Sequence, residues 1–179
     1  TLDISDPDAG NRPEWQLLKQ ELGKSFQTVL TLEHPLHEVR WIRGSNRLAV
    51  AGENSEIYLV NGDSRKIEKT IHTGIRELHA LAISPDGNLA AAGGVTDAAT
   101  DLARAIVFDL TTGAQVLELP GRSTTIESLE FSIDGKLLAC GARYEAVQLY
   151  EIAGGTVVAT LPAERRNRWL SVSPDQSSL

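Results

Sequence analysis

The stretch that decides the fold of this chain is Leu78-His-Ala-Leu-Ala-Ile-Ser-Pro-Asp-Gly-Asn-Leu-Ala-Ala-Ala-Gly93. It contains two short apolar segments separated by Ser84-Pro-Asp-Gly87. Proline already holds φ at about −65° and glycine accepts a positive φ, so such a turn joins two antiparallel strands tightly. The stretch therefore predicts a β-hairpin.

Other parts of the chain repeat this pattern. They are Ile126-Glu-Ser-Leu-Glu-Phe-Ser-Ile-Asp-Gly-Lys-Leu-Leu-Ala-Cys-Gly141 and the shorter Asn167-Arg-Trp-Leu-Ser-Val-Ser-Pro-Asp-Gln176. A further copy around Val39–Gly52 keeps the second strand but has a different turn, so its alignment is looser. A fixed internal period indicates a repeat architecture, in which each copy is one supersecondary unit.

Each hairpin is followed by two more predicted strands. The third strands are Glu56–Asn61, Ala105–Asp109 and Ala146–Glu151, and the fourth strands are Lys66–Ile71, Gln115–Leu119 and Thr156–Leu161. The fourth strands alternate apolar and polar residues, as half-buried strands do. Gln27–Leu32 fits the fourth-strand position of a preceding copy. The chain is thus predicted to be all-β, built from sheets of four antiparallel strands.

Four short antiparallel strands that recur about every 40–45 residues resemble the blades of the WD-repeat β-propeller family. The resemblance covers roughly Gln27 to Gln176. Val60-Asn61, Phe108-Asp109 and Tyr150-Glu151 occupy the position of the family's Trp-Asp pair, and Glu33-His34, Ile71-His72 and Pro120-Gly121 that of its Gly-His pair. These degenerate copies are similar to prokaryotic WD-repeat regions appended to signalling NTPases, kinases or proteases. The resemblance implies about three to four blades of an incomplete ring.

The polar network of many family blades cannot form completely, because Asn54 and Tyr144 occupy the usual aspartate position. We therefore expect apolar packing to stabilise the blades. Cys140 aligns with Ala51 and Ala92 of the other copies, which predicts a small, buried and unreactive residue.

The composition indicates a globular chain that binds neither nucleic acid nor a membrane. Of 179 residues, 41% are hydrophobic and 23% are charged, and the formal net charge of −7 argues against a surface for polyphosphate. No apolar run approaches the roughly 20 residues that span a bilayer. The single cysteine excludes an internal disulfide and suits a reducing compartment, so we expect a cytoplasmic location.

The predicted organisation is an N-terminal linker with a short helix over residues 1–26, followed by propeller blades over residues 27–179, of which the last is truncated. The helix, Pro13–Gly23, would pack against a blade or dock a neighbouring domain. Closed propellers have typically four to eight blades. We therefore expect the ring to be completed by another chain, by a second copy of this one, or by missing parts of the same polypeptide. The absence of any methionine also suggests that this sequence comes from a longer polypeptide.

The sequence shows no convincing catalytic or cofactor-binding pattern. The Gly93-Gly94 pair lacks the lysine and helix start of a phosphate-binding loop. The four histidines, His34, His37, His72 and His79, form two pairs in different blades, whereas a metal site needs three or four converging ligands. His34 and His72 are expected to make structural hydrogen bonds. We expect no enzyme activity, no cofactor and no metal.

Ala163-Glu-Arg-Arg-Asn-Arg-Trp169 is the densest local group of binding residues, because guanidinium groups bind carboxylates and phosphates bidentately. The alternative is an ordinary solvated loop. The family resemblance implies that partners meet the loops before the first and third strands of each blade. Candidate partner-binding residues in these loops are His34, His37, Glu53, His72, Arg76, Arg122, Arg143, Arg165, Arg166, Arg168 and Trp169.

Two hypotheses about function follow. The first is a non-enzymatic interaction, scaffold or sensor module that binds a protein or peptide within a larger assembly. The second is the propeller portion of an enzyme, whose catalytic residues lie in missing blades or in an appended NTPase, kinase or protease domain.

Overall fold

The computed structural model describes residues 33–95, 102–162 and 170–171. Over these residues the chain is all-β and contains three four-stranded antiparallel sheets, each with its strands in sequence order. Sheet 1 consists of β1 (Leu36–Ile42), β2 (Arg47–Gly52), β3 (Glu56–Asn61) and β4 (Ile67–His72). Sheet 2 consists of β5 (Glu77–Ile83), β6 (Leu89–Val95), β7 (Ala105–Asp109) and β8 (Gln115–Glu118). Sheet 3 consists of β9 (Ile126–Phe131), β10 (Leu137–Ala142), β11 (Val147–Glu151) and β12 (Val157–Leu161).

The all-β prediction is confirmed, and the third strands of sheets 1 and 2 have the predicted bounds. The predicted helix Pro13–Gly23, the predicted strand Gln27–Leu32 and most of the copy at Asn167–Gln176 lie outside the described residues. Within the described part of the chain, no helix could cross a membrane.

The hairpin turn that was recognised in the sequence is held by its own side chains. Ser84 Oγ donates to Asp86 Oδ1 at 2.5 Å and accepts from Leu89 N at 2.8 Å, while Gly87 has a φ of 74°. The hydrogen bond from Ser84 holds the pKa of Asp86 below its usual range. Ser132, Asp134, Gly135 and Leu137 repeat the arrangement in sheet 3.

The three sheets are copies of one another in their hydrogen bonds as well as in their strands. In each sheet the turn after the third strand donates a backbone hydrogen bond to the hairpin turn, through Gly62–Asn46, Leu110–Asn88 and Ile152–Lys136, with N···O distances of 2.7, 2.8 and 2.8 Å. Each third strand also has a register shift directly before Val60, Phe108 or Tyr150. The repeat in the sequence is therefore a structural repeat.

The structure corrects the alignment of the loosest copy by one residue. Gly52 and Gly94 occupy the same place, each opposite the residue that precedes a bulge in the first strand. Cys140 is consequently equivalent to Ala92 and Val50, and its alignment with Ala51 is wrong. Sheet 2 has two adjacent glycines, Gly93 and Gly94, and Gly94 is the one that matches Gly52.

Sheet 2 is covered on both faces, which explains its unusual strand composition. Ala90 and Ala92 of β6 pack in the core shared with sheet 1, and Ala91 packs in the core shared with sheet 3. A strand that is buried on both faces reads as a continuous apolar run instead of an alternating one. A Cβ on Gly93 would lie 2.7 Å from Ile126 Cγ2, so small residues in β6 allow sheet 3 to approach closely.

The first strands of the three sheets lie side by side, since β5 contacts both β1 and β9. The fourth strands β4, β8 and β12 consist mostly of exposed or half-buried residues. In each sheet the first strand therefore lies next to the first strand of a neighbouring sheet, and the fourth strand is the more exposed one.

Cys140 lies in the core between sheets 2 and 3 and is fully buried. Burial raises the pKa of its thiol to about 12. At pH 8 we expect the folded chain to react with a disulfide reagent such as DTNB about a thousandfold more slowly than the denatured chain, since three pKa units reduce the thiolate fraction by that factor. The measurement compares the rates with and without guanidinium chloride. Rapid labelling of the folded chain would contradict this buried position.

Apolar packing is only part of what stabilises the sheets, because sheets 1 and 3 also contain polar networks. In sheet 3, Arg122 Nη2 donates to Ala146 O at 2.6 Å, Nη1 donates to Gln148 Oε1, and Nε lies 3.0 Å from Glu145 Oε2. In sheet 1, Asn54, Glu56, Tyr58 and His72 form a connected group. Polar contacts thus add to the apolar packing, so the expectation from the sequence was incomplete.

Candidate interaction face

The antiparallel strand order places successive connections at opposite ends of each sheet. We call the end that carries residues 53–55, 73–76, 119–125 and 143–146 the loop face, and the end that carries the hairpin turns the turn face. The turn ends of neighbouring sheets lie together: a Cβ on Gly87 would be 2.8 Å from Arg43 O, and one on Gly135 would be 3.6 Å from Pro85 Cδ. The loop ends of the three sheets therefore also lie on one side.

Each first strand has a β-bulge next to the loop face, at equivalent positions in the three sheets. The register shifts make His37 of β1, His79 of β5 and Glu127 of β9 the additional residues of their bulges. A bulge adds a residue to one strand and redirects its side chain. Because the first strands are adjacent, the repeat brings three ionisable side chains to the same part of the loop face.

The imidazoles of His37 and His79 meet across the boundary between sheets 1 and 2. Their ring centroids are 5.0 Å apart, with an angle of 35° between the ring planes. His37 Nε2 lies 3.5 Å from Glu53 Oε1, and His79 Nε2 lies 3.6 Å from Glu77 Oε2. Each ring thus has a carboxylate beside it.

Two arginines complete this group of charges. Arg76 Nη2 lies 3.1 Å from Glu77 Oε1, and the Nε and Nη2 atoms of Arg143 both lie 2.8 Å from Glu127 Oε1. The bulge cluster, as we call the set, consists of His37, Glu53, Arg76, Glu77, His79, Glu127 and Arg143. Glu53 and Arg143 hold the same position in their loops. Sheet 1 thus sets a carboxylate beside its bulge imidazole, and sheet 3 sets a guanidinium beside its bulge carboxylate.

Burial has the largest effect on the pKa values of His79, Glu38 and Glu130, which lie in the first strands of the three sheets. It lowers the pKa of His79, and the nearby His37 and Arg143 lower it further, against the opposing effect of Glu77 and Glu127. Burial also raises the pKa of Glu38 in β1 and of Glu130 in β9, despite the attraction of Arg40.

The structure brings together four of the residues predicted from the sequence, namely His37, Glu53, Arg76 and Arg143. Of the others, His34 is exposed ahead of β1. His72 is exposed at the end of β4, where its Nδ1 lies 3.0 Å from Glu56 Oε1, a contact of the structural kind that was expected. Arg165, Arg166, Arg168 and Trp169 lie outside the described residues.

Arg122 differs from the other predicted residues because its side chain is only 7% exposed. Its guanidinium contacts Glu145, Ala146 and Gln148 in and before β11, while its backbone pairs with Ala103. It stabilises the loop face from within and presents little surface to a partner.

Sequence reasoning missed His79 and Glu127 as members of this face, and it did not name Tyr144 among the candidate residues although Tyr144 lies in a predicted partner loop. The first two follow Leu78 and Ile126 as His37 follows Leu36, so a correct alignment of the copies would have found them. Tyr144 is 69% exposed and has a φ of 61°, a backbone conformation that the sequence does not reveal. Within the described ranges, no group of three or more histidine, cysteine, aspartate or glutamate side chains is placed to hold a metal ion.

Comparison with known proteins adds two similarities. The family model for the WD40 domain of anaphase-promoting complex subunit 4 matches residues 98–173. The WD repeat-containing protein SL1-17 of Schistosoma mansoni is 27% identical over 114 residues, which make up 64% of this chain and 36% of that protein. The match thus spans about a third of the relative's length.

Proposed function

Because this chain belongs to the WD-repeat family, we propose that it is a non-enzymatic β-propeller module that holds a protein or peptide partner on its loop face. The observation that carries the proposal is the bulge cluster, in which equivalent positions of three sheets present charged side chains to one place. Charges that are fixed in position by rigid strands select a partner by electrostatic complementarity.

Tyr144 gives the same face an aromatic contact residue. It stands in the β10–β11 loop next to Arg143, with a mostly exposed ring and a left-handed backbone. Such a conformation costs a non-glycine residue of order 1 kcal/mol. Tyrosine and arginine are also the residues that most often dominate the energy of protein interfaces.

The wider architecture that we propose is a ring of blades over residues 27–179, preceded by a linker and helix over residues 1–26. Side-by-side first strands support a radial arrangement of the three sheets. A closed ring has at least about four blades, so blades from another chain, a second copy or other parts of the same polypeptide would complete it. The matching family model is named for a subunit of a multisubunit complex, which supports a scaffold within an assembly. The cytoplasm is the compartment that suits a single buried thiol.

Replacing Tyr144 with glycine should weaken partner capture without weakening the fold. Glycine accepts the left-handed conformation, so we expect the free energy of unfolding to stay the same or to rise by up to about 1 kcal/mol. Loss of the exposed ring should lower capture at least about fivefold, which corresponds to about 1 kcal/mol of binding energy. The measurement is quantitative mass spectrometry of proteins cross-linked to the immobilised chain, together with urea denaturation.

Two charge reversals act as a matched pair for this experiment. Arg76→Glu changes an exposed cation of the loop face, whereas Lys136→Glu changes an exposed cation of the turn face. The proposal requires a set of proteins whose capture falls with Tyr144→Gly and Arg76→Glu but not with Lys136→Glu. Capture that all three variants leave unchanged, or reduce equally, would reject the loop face as the binding surface.

A further inference from the structure

The contact between His37 and His79 has features that a surface histidine lacks. The two rings come from different sheets but from the same bulge position, and their side chains are only 32% and 28% exposed. By contrast, the side chain of His72, which also has a carboxylate beside it, is 78% exposed. The histidine pair is therefore part of the boundary between sheets 1 and 2.

The charged groups that face this pair come from every element around it. They are Glu53 of the β2–β3 loop, Arg76 and Glu77 at the start of β5, Glu127 of β9 and Arg143 of the β10–β11 loop. His37 also acts on Glu38 of β1, whose charge is balanced by Arg40 at 2.7 Å. With neutral imidazoles the bulge cluster has two guanidinium groups against three carboxylates, so its net charge is negative.

Protons bound by the two rings cannot be independent of each other. Glu77 favours a proton on His79, whereas a charge on His37 opposes it across a ring separation of 5.0 Å. Two sites that interact in this way titrate as a pair, with midpoints that belong to both residues. Protonation of both rings would reverse the sign of the charge of the bulge cluster.

We propose that His37 and His79 form a proton-responsive contact between sheets 1 and 2, which takes up protons as a coupled pair and makes binding at the loop face dependent on pH. The coupling between the two histidines does not depend on a bound partner. The effect on binding rests on the proposed function, and its direction is that a partner carrying carboxylates binds more tightly as the pH falls.

The test is a titration of the histidine Cε1–H resonances by NMR from about pH 8 to pH 5, with the full chain. The four histidines are assigned with single glutamine variants. His37→Gln should raise the titration midpoint of His79 by about half a pH unit or more, because it removes a neighbour that opposes protonation. His72→Gln is the matched control and should leave that midpoint unchanged.

Independent single-site titration of His37 and His79 in the unmodified chain would overturn the proposal, as would an unchanged His79 midpoint in folded His37→Gln. His37→Phe keeps an aromatic ring at the boundary between the sheets and serves if the glutamine variant does not fold. These outcomes are separate from the capture experiment. Coupled titration without partner capture would refute the proposed function and leave the histidine contact standing.

The burial of His79 should appear in the pH dependence of stability. Burial lowers the pKa of His79 in the folded chain, so below about pH 6.5 the unfolded chain binds more protons and stability falls with the pH. Glu38 and Glu130 have raised pKa values and act in the opposite sense, but they are common to the unmodified chain and its variants. His79→Gln should therefore lose less stability than the unmodified chain between about pH 7.5 and 5.5. An equal loss in both proteins would contradict the burial of His79.

Discussion

Replacing Gly94 with alanine should destabilise the chain by at least about 3 kcal/mol, or prevent it from folding. A Cβ at this position would lie 1.8 Å from Glu77 O and 3.1 Å from Leu78 Cα. These are backbone atoms of the adjacent strand, which can move only by breaking the pairing of β5 with β6. The change would also displace the bulge that positions His79. Urea denaturation followed by circular dichroism measures the loss.

Gly154→Ala provides the matched control. Its nearest neighbour would be Thr156 Cγ2 at 4.0 Å, in an exposed turn. We expect this variant to change the free energy of unfolding by no more than about 0.5 kcal/mol. An unfolding midpoint of Gly94→Ala close to that of Gly154→Ala would mean that β5 and β6 do not approach as closely as described.

The second large effect is expected from Arg122→Met, which should cost about 3 kcal/mol. Methionine fills much of the same volume but donates no hydrogen bond. The change leaves Ala146 O and the partly buried Glu145 carboxylate without the guanidinium that contacts them. Groups that were satisfied in the folded chain then lose a partner in a place that water reaches poorly.

The same substitution at Arg104 tests whether burial is the cause. Arg104 also contacts a carboxylate, Glu118, at 2.6 Å, but both side chains are about a third exposed. Arg104→Met should therefore cost less than about 1 kcal/mol. Equal losses at the two positions would show that the network around Arg122 contributes no more than an ordinary surface ion pair. A double-mutant cycle of Arg122→Met with Glu145→Gln measures their coupling directly.

Together these substitutions separate two kinds of residue on the loop face. Arg122 and Gly94 stabilise the strands and loops that form the loop face. Arg122 does so through buried hydrogen bonds, and Gly94 does so by allowing two backbones to approach closely. Tyr144 and Arg76 are exposed, so changing them should leave the sheets intact. Variants of the second kind are therefore the ones that report on binding.

The hairpin around Ser84-Pro-Asp-Gly87 could be predicted because its determinants are local. The turn is closed by side chains within five residues of one another, and a short apolar segment on either side defines each strand. The same holds for β3 and β7, whose predicted bounds agree with the structure. The alignment of Gly52 failed because two adjacent glycines in sheet 2 match it equally well by sequence.

The candidate site could be predicted only in part, since its members meet through the packing of different sheets. The family resemblance implied that His37, Glu53 and Arg143 belong to one group of loops. Nothing local distinguished Arg122, which is buried, from Arg143, which is partly exposed. Their difference depends on residues more than 15 positions away in the chain.

The sequence by itself determined that this chain forms repeated four-stranded sheets, because turn chemistry and the two-residue period of a strand act over a few residues. Only the tertiary structure decided which side chains meet. The contact between His37 and His79 joins residues from separate repeats, and the burial of Arg122 depends on how sheet 3 closes over it. Both depend on side-chain packing and on the geometry of the bulges. The linear order of residues does not give the distances between side chains that pack together.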